Sequence, residues 1–242
     1  GAWLDAVEND EAVSPMVRAQ LPVRRVGVLA TAQRWNDLER YITKLRAPRP
    51  LDPAYADGRP VPLNETSARF LAVVCLQAGK ASGAVQTVLE RLAQTAVQDL
   101  IAGGFTSQVL ELAKTYGTTT LGATGFVPTY VRGVMAYESA IGLIDPSRDT
   151  ASVEPATDPD TINKLREAGA LLDAAVTQDD AGQFGADVPR ALLAAGRAYY
   201  FAGDSEKAAD RFARGHTLAD ARRMADVAQE NLWFAVLALD RL

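Results

Sequence analysis

Apolar positions along this chain recur at intervals of three and four residues, not two. Val26, Leu29 and Ala30 share one helical face. Trp35, Leu38, Ile42 and Leu45 form the next stripe after the polar break Ala32-Gln33-Arg34. Strict alternation over several residues is absent, so the period predicts helices rather than strands. The stretch "RAPRPLDPAYADGRPVPLNE" interrupts the pattern. Its five prolines, from Pro48 to Pro62, forbid a single helix and predict a long, partly polyproline-like loop. Asn64 or Thr66 is placed to cap the following helix, with Glu65 in its first turn, and that helix runs to about Ala78. Gly79-Lys80-Ala81-Ser82 reads as its turn. A longer periodic stretch reaches Ile101 and stops at Gly103-Gly104. Thr106 or Ser107 is placed to cap a shorter helix ending near Tyr116.

The second half has the same grammar. "GTTTLGATG" (117–125) reads as a flexible linker. A helix is predicted over 127–143, with Pro128 in its first turn. The acidic loop "DPSRDTASVEPATDPD" follows, then a helix over 161–177, then the break "QDDAGQFGAD". Two helices meet at Gly203, and a last one starts near Ala219, with its apolar face (Trp233, Val236, Leu237, Leu239) expected to be packed. The outcome is an all-α chain of about nine or ten helices in a single domain over 1–242. Sub-blocks 14–116 and 126–242 flank the linker.

Within the helices one pattern recurs. Leu192-x2-Ala195-Gly196-x2-Tyr199 is followed by Gly203, then Ala208, Phe212 and Gly215. This resembles the tetratricopeptide repeat, in which small residues let two helices cross closely and an aromatic fills the space beside them. A frame shifted along the chain gives a second copy: Leu71-Ala72, Cys75, Gly79, Ala84 and Val88. A split copy pairs Tyr130-x2-Gly133-Val134-x2-Tyr137 with Ala168, Leu172 and Ala175. Trp35, Leu38, Ile42 and Leu45, trailed by Pro50, make a weaker fourth.

The resemblance implies a solenoid of stacked antiparallel helix pairs with irregular loops, and a concave groove lined by the first helix of each pair. In the clearest copy it nominates Arg190, Leu193, Arg197 and Tyr200. Tyr200 and its neighbour Phe201 carry the alternative of packing on the final helix. The second copy nominates Arg69, Val73 and Leu76, and the split copy Val131, Met135 and Glu138. One subset of the family grips a peptide C-terminal carboxylate with a Lys/Asn/Arg set. Leu193 and Arg197 stand at its Lys and Asn positions, so that activity is not implied.

Composition bounds the rest. Of 242 residues 48% are hydrophobic and 23% charged, which suffices for a sizeable core, and a net charge of −5 gives no basis for wholesale nucleic-acid binding. Charge is uneven: nine bases face four acids over 18–59, and ten acids face three bases over 145–187. These are solvated faces or a complementary interface. Cys75 is the single cysteine and His216 the single histidine, so no intrachain disulfide is expected, the redox compartment stays open, and the case for a zinc or thiol-enzyme site is weak. No apolar run approaches the roughly 18 residues of a membrane span. The chain starts at Gly1 without Met, which leaves open a cytoplasmic protein or an exported one with its leader removed. Arg outnumbers Lys 20 to 5, which points to a GC-rich bacterial genome.

Catalytic patterns are incomplete. Gly122-x2-Gly125 lacks the Lys and Ser/Thr of a phosphate loop, and no strand precedes it. Ser14, Ser82, Ser139 and Ser205 have no GxSxG context. Asp158-x-Asp160 and Asp179-Asp180 lack the remaining ligands of a calcium loop. The sequence therefore predicts no catalytic residue, cofactor or metal. It predicts a non-enzymatic module that binds a protein or peptide, or serves as a scaffold. The alternative is the helical domain of an enzyme or a small-ligand-binding repeat protein, which a deep pocket with convergent polar groups would favour.

Overall fold

Four of the helix breaks close in the same way. At Ala32-Gln33-Arg34, Gly103-Gly104-Phe105, Ala202-Gly203-Asp204 and Arg222-Arg223-Met224 the middle residue takes a positive φ, between 52° and 80°. The two N–H groups that follow the helix then return to its last turn. Gly203 N–H donates to Tyr200 O at 3.1 Å and Asp204 N–H to Tyr199 O at 2.9 Å; Arg223 and Met224 do the same to Asp220 O and Ala219 O. Carbonyls that a helix end leaves orphaned are thereby satisfied within three residues. Two of the four turns place glycine at the left-handed position, where it meets no Cβ penalty. Gln33 and Arg223 take it without that advantage.

These turns are part of a computed structural model that describes residues 14–48, 60–78, 84–144 and 154–242. The turn at 79–82, the centre of the proline-rich loop and most of the acidic loop lie outside the described residues. Among the described residues every regular element is helical. The chain divides into two compact units between Leu121 and Gly122, inside the 117–125 stretch.

The first unit contains α1 (Pro15–Thr31), α2 (Trp35–Leu45), α3 (Glu65–Ala78), α4 (Ala84–Ala102) and α5 (Thr106–Tyr116). Helix α3 packs on α1, α4 and α5, and α4 also packs on α2 and α5. Leu38, Leu71, Cys75, Leu89 and Leu100 are buried between them, each aliphatic side chain contributing about 1.5–3 kcal/mol. Asn64 is the cap of α3, its Oδ1 accepting from Ser67 N–H at 2.9 Å. The expected Thr106 or Ser107 cap of α5 is corrected: Phe105 holds that position without a side-chain bond, and Thr106 is the first helical residue. Buried Asp99 on α4 accepts from Arg46 Nη2 at 2.8 Å and from Leu63 N–H at 3.0 Å. It pins the two ends of the proline-rich segment to one helix. Burial raises its pKa, against the pull of both donors.

The second unit contains α6 (Phe126–Ile141), α7 (Pro159–Val176), a 3-10 turn (Ala181–Phe184), α8 (Val188–Phe201), α9 (Ser205–Ala221) and α10 (Ala225–Leu239). Each helix packs on the next, and α8 also packs on α6 and α10. The close approaches share one device. A Cβ built at Gly133 of α6 would lie 2.7 Å from Leu172 of α7. Built at Gly169 of α7 it would lie 2.8 Å from Tyr199 of α8, and at Gly215 of α9 it would lie 2.3 Å from Asn231 of α10. The Gly196–Phe212 approach between α8 and α9 belongs to the same series. Small residues stand at these crossings because a bulkier one would hold the helices apart.

Three expectations are corrected here. Residues 117–125 are tied down rather than free: Leu121 is buried, Arg132 donates to Gly122 O and Ala123 O, and Gly125 N–H donates to Gln178 Oε1 at 3.2 Å. The last helix starts at Ala225, because the Arg223 turn ends α9 only at Ala221. Its apolar face is also not wholly packed. Val227, Ala228, Asn231, Ala235 and Ala238 point inward, while Trp233, Val236 and Leu239 remain 56–58% exposed. The wide side chains lie on the side that no described helix covers.

Candidate functional site

The clearest copy of the pattern lies on α8, and its phase decides what it can present. An α-helix advances 100° per residue, so the face centred on Arg190 continues through Ala194, Arg197 and Phe201. These four are exposed or half-buried. Leu193 and Tyr200, nominated for the same stripe, fall on its flank and are buried at 7% and 1% exposure. They are corrected to core residues. Tyr200 packs edge-on against Phe234 of α10, ring centroids 5.9 Å apart, and against Phe201 at 5.5 Å. The physical cause is α10, which lies along that flank.

Arg197 is half-buried beneath the same helix. Its guanidinium hydrogen-bonds Glu230 and lies 4.8 Å over the Phe234 ring, while Phe234 stacks on Phe212 at 5.3 Å. The positive charge is thus matched inside the fold. Arg190 stays open to solvent, 3.7 Å from Asp187 one turn away.

Helix α6 supplies the other edge. Tyr130 and Tyr137 are half-buried there, and burial pushes both phenols up to about 12. Asp187 and Arg190 act on Tyr130; Arg197 and Glu230 act on Tyr137. The nominated Met135 is half-buried, Glu138 is exposed, and Val131 faces the core at 0% exposure. A face therefore runs across α6, α8 and α10, floored by Tyr130, Tyr137, Ala194 and Phe201 and carrying Arg190 and the Arg197–Glu230 pair. Sequence reasoning overlooked Ala194 and Glu230 and named Phe201 only as a residue that packs on the final helix. Carrying the 3.6-residue period on from Arg190 would have found Ala194 and put Phe201 on the same face; Glu230 gives no local signal.

Behind this face the helices are locked by charge. Asp173 of α7 takes two bonds from Arg211 of α9, at 2.6 and 2.9 Å, and one from the Tyr199 hydroxyl of α8 at 3.0 Å. Burial and the adjoining carboxylate push Tyr199 up to about 12. Arg166 of α7 forms a two-bond fork with Asp204, at 2.8 and 2.9 Å, at the head of α9. Bidentate pairs of this kind fix orientation as well as distance.

In the first unit, Arg69 of α3 pairs with Glu111 of α5 at 3.1 Å, both exposed, with half-buried Val73 and Leu76 on the same face. The loop acids serve the backbone: Asp158 caps α7 by accepting from Thr161 N–H and Oγ1, both at 2.8 Å, and Asp180 accepts from Phe126 N–H at 2.8 Å. His216 Nδ1 bonds Ala228 O at 3.0 Å. Among the described residues no three His, Cys, Asp or Glu side chains converge as metal ligands, and no helix is long and apolar enough to cross a membrane. A cleft of about 190 Å³ lies between Leu143, Ile144 and the segment 155–158, below the roughly 300–1,000 Å³ of small-molecule pockets.

The chain is thus an all-helical protein with an aromatic, charge-paired face on alternate helices of its second unit. Comparison with family models, with curated proteins and with solved structures gives no match.

Proposed function

We propose that the chain is a tetratricopeptide-like repeat protein that binds a partner protein or peptide on the α6–α8–α10 face and has no catalytic role of its own. The observation that carries the reading is the packing of α8 on its neighbours but one, α6 and α10, as well as on α7 and α9. Such packing sets first helices side by side and generates a continuous surface. Tyrosines and arginines at its floor are the residue types that dominate binding energy at interfaces.

The test compares capture from the source organism by wild type, by the face variant Arg190→Glu/Ala194→Arg, and by the control Glu206→Lys on α9. A partner held by wild type and control but lost by the face variant supports the reading. A partner held equally by all three removes it.

A further inference from the structure

One stretch of this chain already lies on that face as a peptide would. Residues 154–157 belong to no helix, and Asp158 beside them has extended backbone. They reach the C-terminal end of α8, where the carbonyls of Ala198, Tyr199 and Tyr200 accept from Ala202, Asp204 and Gly203. The Phe201 carbonyl is the one left over at the helix end, and Ala156 N–H donates to it at 2.8 Å. Ala156 packs on the buried cluster of Ala140, Leu165 and Ala202, on which Tyr137, Ile141 and Phe201 also pack. Two residues upstream, Glu154 Oε2 lies 3.6 Å from Arg241 Nη2. The Arg241 guanidinium stands 4.6 Å over the Tyr200 ring, and the Tyr200 hydroxyl beneath it is buried without a hydrogen-bond partner. A main-chain hydrogen bond, an apolar seat for a small side chain and a cation for an acidic one are the ingredients by which proteins hold extended peptides.

We propose that the C-terminal end of the α6–α8–α10 face is a receptor for an extended acidic–proline–small segment, and that Glu154-Pro155-Ala156 is its internal occupant, displaced when a partner presents the same chemistry. This rests on the reading of the face as a binding surface and names its partner. The acidic residue meets Arg241, with the orphaned Tyr200 hydroxyl as a second donor within the same corner. Proline holds the extended conformation that places the next N–H toward Phe201 O. The small residue joins the apolar cluster of Ala140, Leu165 and Ala202.

The test supplies the occupant in trans. Residues 154–157 are replaced in the full chain (Glu154→Gly, Pro155→Ser, Ala156→Gly, Thr157→Ser), and the fluorescein-labelled peptide SVEPATD is titrated by anisotropy. The replaced protein should bind at least tenfold more tightly than wild type, and Arg241→Glu in the replaced background should abolish that gain. Equal binding by wild type, or none by a replaced protein whose circular dichroism is unchanged, overturns the proposal. Should the fourfold replacement unfold, Ala156→Pro, which removes the N–H bonded to Phe201 O, is titrated in its place, with the same two outcomes. The capture experiment with the Arg190 variant is independent of this peptide, so a failure here is separable from a failure of the face as a whole.

Discussion

Phe212 of α9 lies directly over the backbone of Gly196 on α8: a Cβ at Gly196 would stand 2.5 Å from the Phe212 Cε1. Both residues are buried, and Phe234 stacks on the Phe212 ring with centroids 5.3 Å apart. Gly196→Ala should therefore cost about 1–3 kcal/mol, the range for overpacking, and Gly196→Leu more. Adding Phe212→Leu to Gly196→Ala should cost less than the sum of the two single changes, since they share one space. Urea unfolding of the three variants checks this. An unchanged midpoint for Gly196→Ala contradicts the close crossing.

Arg197 and Tyr200, three residues apart on the same helix, should separate sharply on substitution. Tyr200→Ala empties a fully buried aromatic site and should lose about 3–5 kcal/mol. Arg197→Ala removes a half-exposed ion pair and a ring contact, and should lose about 1 kcal/mol. Thermal melts of the two single variants measure the gap. Equal losses would place Tyr200 at the surface after all.

Cys75 should be chemically silent in the native protein. It is 1% exposed, and burial pushes its thiol up to about 12, so almost no thiolate forms at pH 8. A thiol reagent should label it only when denaturant is present, at a rate set by unfolding. Rapid labelling of native protein would show that α3 does not pack as described.

The Arg166–Asp204 fork should leave a mark on the acid side of the stability profile. Arg166 lowers the Asp204 carboxyl below its ordinary 3.8. Below that unfolded-state value the unfolded chain binds the proton first. The stabilisation is therefore complete above it and is lost as pH falls through the lower folded value. Asp204→Asn should cost roughly 1 kcal/mol at pH 7 and about nothing near pH 2. A difference that persists to pH 2 would assign the effect to packing.

The helices and their breaks were legible because the information is local. The period of three and four, Gly203 and Gly104 at their turns, and Gly196 opposite Phe212 all lie within a few turns of one another. Two of the four identical turns were less visible, since Gln33 and Arg223 adopt the left-handed conformation without a glycine to announce it. Which α8 side chains stay exposed was only partly legible. Stepping from Arg190 by three first led to Leu193 and Tyr200, while stepping by four leads to Ala194 and Phe201; only the position of α10 decides between them. Contacts such as Arg46 with Asp99, 53 residues apart, and Asp180 with the head of α6 have no signature in sequence. Either carboxylate reads as an ordinary surface acid until the fold brings the donor to it.

The glycine series in the second unit has a direction. Gly133, Gly169, Gly196 and Gly215 each lie on the earlier helix of their pair, and Leu172, Tyr199, Phe212 and Asn231 each lie on the later one. A ribosome delivers the chain from its N-terminus, so every socket is synthesised before the side chain that fills it.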